Sequence, residues 1–312
     1  MKPAPPKALT YGPVPSRRLG YSLGLDILPF KTCSMDCVYC QLGACGKTTV
    51  RRREYIPVRT VLAQVRRALK SGARIDAVTF SGSGEPTLHS GIGRIIAGIK
   101  RMTGVKVVVL TNSSTLAGRA NGRDLLQADI VVPSLDAATD PVFAKVNRPH
   151  AGITAEAIID GLVRFRRRFQ GRIWLEVMLV RGINDGPAHL RKLREAVERI
   201  RPDRVQINTV VRPPAEPSAR PLTAAELERA RKILGPTAEI IADFSRGKQP
   251  AAAPDASAAL LAALGRRPMT AADLARSLGL SKREILALTR RLAAAGAICS
   301  VRHAGIVYYE PA

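Results

Sequence analysis

Six short runs of apolar residues, regularly interrupted by amphipathic segments, limit what this chain can fold into. The runs are YSLGLDIL (21–28), IDAVTFSG (75–82), VKVVVLTN (105–112), DIVVPSLD (129–136), RIWLEVMLV (172–180) and DRVQINTVV (203–211). They are mostly apolar on both faces instead of alternating, which marks strands covered on both sides, as in a parallel sheet wrapped by helices. The segments between them carry helical periodicity. In AEAIIDGLVRFRRRF (155–169), Ile158, Leu162, Phe165 and Phe169 form one apolar stripe, with Arg164, Arg167 and Arg168 facing outward. PAHLRKLREAVERI (187–200) has the same pattern. Six strand–helix repeats predict an α/β fold, a partial (β/α)6 barrel rather than a closed eight-stranded one. Its chemistry belongs on the loops at the carboxyl ends of the strands.

Punctuation residues divide the chain. Residues 1–20 read as a Pro-rich N-terminal lead, 21–243 as the barrel, and 244–255 (FSRGKQPAAAPD) as a Gly-, Pro- and Ala-rich linker. Near the barrel's end, Thr223 and Glu226 form a capping box that opens a helix. Residues 256–312 follow a different plan. Thr270 with Asp273 opens one helix, Gly279 makes a turn, and Ser281 with Glu284 caps a second helix that ends near Gly296. Two short strands, AICSVR and IVYYE, then meet at Ala304–Gly305. Helix, turn, helix and hairpin predict a small winged-helix domain.

At 312 residues the chain can bury a full core without disulfides. Its five cysteines are an odd number, and four fall within thirteen positions, which argues against a secreted disulfide scaffold and for a reducing compartment. The opening MKPAPPKALTYGPVP lacks an apolar signal core, and the longest apolar runs are too short to span a bilayer, so a cytoplasmic protein with no membrane partner is expected. The net charge of +24, from 49 Lys and Arg against 25 Asp and Glu, is extreme for an enzyme of a small neutral substrate and suggests a polyanion. The plainer alternative, a genomic base bias, could swap Arg for Lys but does not explain the scarcity of acids. The last 57 residues hold eight Lys and Arg against three acids, which leaves +19 on the first 255.

The stretch KTCSMDCVYCQLGACG (31–46) places Cys33, Cys37 and Cys40 in a C-x3-C-x2-C array with Tyr39 before the last. A zinc knot uses separated ligand pairs and a complete tetrahedral set, and His89, His150, His189 and His303 show no ligand spacing. Three thiolates on one loop suit a cubane in which three irons take cysteine sulfurs and one iron stays open. Cys45 reads first as a free thiol, with a ligand to a second centre or a substrate contact as the alternatives, and Cys299 reads as a small core residue. A second motif, FSGSGEPTLH (80–89), follows the second strand. Gly82 and Gly84 let backbone approach a ligand, and Glu85 presents a carboxylate. The plainer alternative is a Gly-rich turn with a solvated Glu.

The C-x3-C-x-aromatic-C array after the first strand resembles the radical S-adenosylmethionine superfamily. The wider string YGPVPSRRLGYSLGLDILPFKTCSMDCVYCQLG resembles a group within it, the iron-sulfur oxidoreductases related to wyosine-type tRNA synthases, and the resemblance runs from Tyr11 to Asp243. It implies a [4Fe-4S] cluster on Cys33, Cys37 and Cys40 whose open iron chelates S-adenosylmethionine. An external one-electron donor of flavodoxin or ferredoxin type then drives cleavage to a 5′-deoxyadenosyl radical. The resemblance also implies cofactor contacts from Tyr39, from Gly84 and Glu85 to the methionine ammonium, and from Ser134 and Asp136 to the ribose or amino-acid part. Ile183 and Asn184 would lie against the adenine, although Asn-Asp-Gly also reads as a turn. Asn147–His150 (NRPH) and Arg212–Pro214 (RPP) recur in such relatives without an assignable role, and no residue reads as catalytic. Together with the charge, the resemblance makes tRNA or another RNA the expected substrate, with Lys282, Arg283, Arg290, Arg291, Arg302 and His303 available to phosphates. Two other readings stand beside it. One is radical activation of a protein partner, as by a glycyl-radical activase. The other is an iron-sulfur DNA-binding redox regulator without turnover, against which the complete barrel and its Gly-Glu segment argue.

Overall fold

The computed structural model describes residues 8–16, 18–118, 121–242, 256–265 and 267–312; the linker expected over 244–255 lies outside the described residues. The six apolar runs form β2 (Gly20–Leu25), β3 (Ala77–Phe80), β4 (Lys106–Thr111), β5 (Ile130–Pro133), β6 (Arg172–Leu179) and β7 (Arg204–Thr209), parallel and adjacent in chain order. Two strands extend the sheet to eight: β1 (Thr10–Ser16), antiparallel to β2, and β8 (Ala238–Ile240), parallel to β7. β1 lies inside the stretch that reads as a lead. Gly12, Pro13 and Pro15 disguise it, because proline is tolerated on an edge strand but argues against a central one. β8 has three residues, too few to show a period. β1 and β8 do not pair with each other, so the sheet has an open seam.

Helices α1 (Val58–Leu69), α2 (Ile92–Met102), α3 (Asp140–Val146), α4 (Ala155–Arg166), α5 (Pro187–Ile200) and α6 (Ala224–Leu234) accompany the strands. Strand side chains divide between two faces. Phe80, Val109, Val131, Leu175 and Ile207 join Ile96, Leu162 and Leu193 of the helices in the main core. Ala77, Val108, Ile130, Val132 and Trp174 form a second cluster with Leu19 and Leu110 on the inner face. This double burial is what made the runs apolar throughout. In α4, Ile158, Leu162 and Phe165 are buried as their spacing requires, and Phe169 stacks on Phe165 at 4.7 Å. Gly161 of α4 has no room for a side chain, since a Cβ would lie 2.3 Å from the Leu116 carbonyl oxygen.

After residue 255, α7 (Ala256–Leu264), α8 (Ala271–Leu278), α9 (Lys282–Ala294), β9 (Ile298–His303) and β10 (Ile306–Pro311) gather their own core from Leu260, Leu264, Met269, Leu274, Leu278 and Ile285. The capping boxes of α6, α8 and α9 form at Thr223/Glu226, Thr270/Asp273 and Ser281/Glu284. Gly279 takes the left-handed conformation that ends α8, and Ala304 and Gly305 both have positive φ in the tight hairpin turn. Cys299 is half-buried opposite Glu310 instead of in the core, because strand alternation turns its neighbour Ile298 inward. The unit rests against the seam. α8 packs on β1, His303 Nε2–H donates to the Val210 carbonyl at 3.0 Å, and the Tyr308 hydroxyl donates to the Val211 carbonyl. Among the described residues no helix is long and apolar enough to cross a membrane.

Gly161→Ala is expected to destabilise the fold by about 1–3 kcal/mol through overpacking against Leu116. Gly186→Ala, where an added Cβ meets nothing within 4 Å, is expected to leave the thermal unfolding midpoint nearly unchanged.

Candidate active site

The loop from β2 to α1 carries the three-cysteine array and is fastened by backbone to three other loops at the strands' carboxyl ends. Thr32 bridges Gly84, and Glu85 N–H donates to the Thr32 carbonyl at 3.0 Å. Met35 bridges Pro149, Val38 N–H reaches the Val146 carbonyl at 3.0 Å, and His150 N–H reaches the Ser34 carbonyl at 2.8 Å. On the far side, Glu216 N–H reaches the Val38 carbonyl at 2.9 Å. The NRPH stretch thus has a local role: its backbone binds the cysteine loop. Arg212 of the RPP stretch donates to Gln41 Oε1 at 3.4 Å, one residue beyond Cys40.

Each of the three thiols faces one nitrogen donor. Asn112 Nδ2 lies 3.5 Å from Cys33 Sγ, Asn147 Nδ2 lies 3.4 Å from Cys37 Sγ, and Lys31 Nζ lies 2.9 Å from Cys40 Sγ. None of the cysteines is in a disulfide. Burial and the Glu85 charge push the Cys33 thiol up to about 12, and burial with the nearby Cys33 and Asp136 pushes Cys37 upward as well. Such thiols keep their protons until a cation offsets the burial, as a metal does. Among the described residues no three His, Cys, Asp or Glu side chains gather as ligands of a single ion. A cubane makes a different demand, one thiolate for each of three irons. Three cysteines on one loop, each with a donor aimed at its sulfur, fit that demand. Cys45 is set apart: its thiol faces the carbonyls of Lys31 and Lys47 at 3.4 and 3.5 Å, and burial raises its pKa.

The two glycines of the second motif both allow a close approach by the protein's own chain. Gly82 has φ +135° and a Cβ there would meet Asp26 Cγ at 2.7 Å; at Gly84 it would meet the Thr32 carbonyl oxygen at 1.9 Å. Gly84 therefore lets the cysteine loop lie against the end of β3. Glu85 is buried, not solvated. Its Oε1 accepts from Thr87 N–H at 3.0 Å, from the Thr87 hydroxyl and from the Thr111 hydroxyl at 2.7 Å, while Oε2 accepts from Asn112 N–H at 2.6 Å. A carboxylate offers about four acceptor sites, so Oε2 retains capacity for a further donor. Burial raises the Glu85 pKa against the pull of these bonds.

Asp136 and Asn184 are both bonded into the protein's own network. Asp136 is buried with both oxygens engaged: Oδ1 accepts from Met178 N–H at 2.9 Å, and Oδ2 accepts from the Tyr39 hydroxyl and from Asn147 Nδ2 at 2.7 Å. It ties the cysteine loop to the sheet, and its Oδ1, like Glu85 Oε2, carries one bond and keeps an acceptor position. Burial raises its pKa to about 6. Asn184 is fully buried, its Oδ1 accepting from Val180 N–H at 2.7 Å and its Nδ2 donating to the carbonyls of Asp136 and Met178, both at 2.8 Å. Its amide is spent on the turn, so the side chain is not available to an adenine. Ser134 is half-buried beyond β5, and its hydroxyl has no protein partner among the described residues. Sequence reasoning missed Lys31, Asn112 and Asn147 as sulfur donors. The only signal was a polar residue at the end of a buried run or inside an unassigned motif.

On its inner face the sheet borders a cavity of about 350 Å³, reaching from Gln41 beside Cys40 to Arg18 and Glu176 and on to Arg267 and Arg276 of the C-terminal unit.

With this geometry established, comparison with known proteins is informative. A model of the radical SAM superfamily matches residues 27–194. The chain is 41% identical over 222 residues to a protein of Brachyspira hyodysenteriae named GTPase Obg, covering 71% of this chain and 33% of that one, so it spans about a third of that relative's length. It is 32% identical over 235 residues to a UPF0026 protein of Methanocaldococcus jannaschii, covering 75% of this chain and 72% of the relative. Among solved structures, a radical SAM methyltransferase from Sphaerobacter thermophilus superposes with a TM-score of 0.53 at 21% identity, covering 72% of this chain and 67% of that one; the likeness is one of fold.

The Asp136 carboxyl titrates near 3.8 when unfolded and near 6 in the fold. The folded state therefore holds an extra proton between these values, and this group's contribution to stability falls as pH rises from about 4 to 6, by on the order of 2–3 kcal/mol. Asp136→Asn is expected to remove that component, read as a smaller difference between urea midpoints at pH 4.5 and pH 7. Asn147→Ala, which removes the donor to both Cys37 and Asp136, is expected to lower iron bound per chain after reconstitution, read by iron assay and visible absorbance.

Proposed function

The chain belongs to the radical SAM superfamily, whose enzymes use a [4Fe-4S] cluster and S-adenosylmethionine, and from that premise we propose that it is a radical enzyme whose substrate is tRNA or another RNA. When bound, the cluster and S-adenosylmethionine supply a one-electron cleavage of the sulfonium, giving methionine and a 5′-deoxyadenosyl radical that takes a hydrogen atom from substrate. The observation that carries the enzymatic part is the triad Cys33, Cys37 and Cys40, each sulfur facing its own nitrogen donor at the carboxyl end of a parallel sheet.

The chain's own residues then have separable tasks. Cys33, Cys37 and Cys40 hold the irons, and Asn112, Asn147 and Lys31 stabilise negative charge on the sulfurs. Glu85, close enough to Cys33 for its charge to raise that thiol's pKa, accepts the methionine ammonium with the free capacity of Oε2. Ser134 offers its hydroxyl to the amino-acid or ribose part. Tyr39, between Cys37 and Cys40 on the loop, is oriented by its bond to Asp136. Leu19, Leu110 and Met178 supply part of the cavity's apolar lining. A flavodoxin- or ferredoxin-type protein is the proposed electron donor, and the odd number of unpaired thiols supports a reducing, cytoplasmic setting.

The RNA part rests on charge and on the C-terminal unit. A surplus of +24 suits a phosphate backbone, and residues 256–312 combine helices α8 and α9 with a hairpin as a winged helix does. Lys282, Arg283 and Arg290 are exposed on α9. Anaerobic reconstitution, reduction and addition of S-adenosylmethionine are expected to yield 5′-deoxyadenosine, with the rate raised by bulk tRNA. No 5′-deoxyadenosine from iron-replete protein would overturn the enzymatic reading, and no response to tRNA at low ionic strength would overturn the RNA reading.

A further inference from the structure

The cavity on the inner face of the sheet is walled by two parts of the chain that sequence reasoning had kept separate. Tyr11, Val14 and Ser16 of β1 stand on one side of the seam and Val211, Arg212 and Ile241 on the other; between them the wall is completed by the C-terminal unit. The Tyr308 and His303 bonds to the Val211 and Val210 carbonyls hold that unit at the seam, and Tyr308 is buried there. The C-terminal unit therefore forms one side of the cavity.

The charge around this cavity is unbalanced. Four guanidinium groups line it, Arg18, Arg212, Arg267 and Arg276, against two carboxylates, Glu176 and Asp273. Both carboxylates are already paired within the wall, Glu176 with Arg18 at 3.1 Å and Asp273 with Arg276. Arg267 is half-buried, and its guanidinium has no hydrogen-bond or ion-pair partner among the described residues. A partly desolvated guanidinium beside a polar cavity is costly unless an anion meets it, and its planar fork matches a phosphate in two-point geometry. The volume, about 350 Å³, lies at the lower end of the range for small-ligand sites and suits one nucleotide unit but not a duplex. Gln41 puts the chamber's other end next to Cys40.

We propose that this chamber takes a single extruded nucleotide of the RNA substrate, with Arg267 of the C-terminal unit binding its phosphate and the sheet's inner face receiving the base. The proposal rests on the RNA reading above and deepens it, since it assigns the C-terminal unit to the reacting nucleotide as well as to the distant backbone.

The experiment uses the reconstituted full-length protein and equilibrium dialysis against mixed 5′-nucleoside monophosphates, the parent nucleosides and S-adenosylmethionine. Monophosphates are expected to bind more tightly than nucleosides. Arg267→Gln is expected to weaken monophosphate binding by about tenfold or more, and Arg267→Lys, which keeps the charge, to restore most of it. Unchanged thermal midpoints in both variants separate lost contact from lost fold. Equal binding of monophosphates and nucleosides, or monophosphate binding unchanged in Arg267→Gln, would overturn the proposal. So would a loss confined to S-adenosylmethionine, which would assign Arg267 to the cofactor. Arg267-dependent monophosphate binding without any stimulation of cleavage by tRNA would uphold the anion site and overturn the RNA reading.

Discussion

A carboxylate buried at the mouth of a parallel sheet has to be met by donors, and those donors fix what surrounds it. Asp136 is met from three directions: the backbone of β6 at Met178, the cysteine loop at Tyr39, and the segment after α3 at Asn147. Removing any of them would leave a buried charge short of partners, which costs more than the bond itself contributes. The Asn147 amide nitrogen also lies 3.4 Å from Cys37 Sγ, so one side chain couples the carboxylate to the sulfur. Its Oδ1 is buried without a hydrogen-bond partner. An orphaned acceptor costs about 1–3 kcal/mol, and it is tolerated because the opposite orientation would aim an oxygen at a carboxylate and at a sulfur that must become negative.

Legibility in the sequence followed burial. Strands covered on both faces declared themselves as continuous apolar runs, and the caps of α6, α8 and α9 were visible because capping chemistry is local. The edge strands were not, since Pro13 and Pro15 in β1 argue against a strand unless its edge position is known. The three cysteines were legible as a set by spacing alone. Their donors were not: Asn112 lies 79 residues from Cys33 and Asn147 lies 110 from Cys37, and nothing in a linear pattern links them.

Gly82 and Gly84 show a different limit. A glycine reports that something passes close to its Cα, but the sequence does not say whether that is a ligand or the protein's own chain. Here it was Asp26 and Thr32. Asn184 repeats the lesson in polar form, for its amide nitrogen spends both hydrogens on the carbonyls of Asp136 and Met178. Glu85 differs because one oxygen carries three bonds and the other only one, an asymmetry that only coordinates reveal.

An open sheet leaves two edges, and each must be paired, covered or left to solvent. Here β1 is covered by α8, while the turn after β7 gives its carbonyls at Val210 and Val211 to side chains of the hairpin. The C-terminal unit has its own apolar core and its own caps. Interfaces of this kind, polar and separate from either core, make relative motion of the two parts the default. Opening at the seam would break the packing of α8 on β1 and the bonds of His303 and Tyr308, and would leave the strand pairing within the sheet intact.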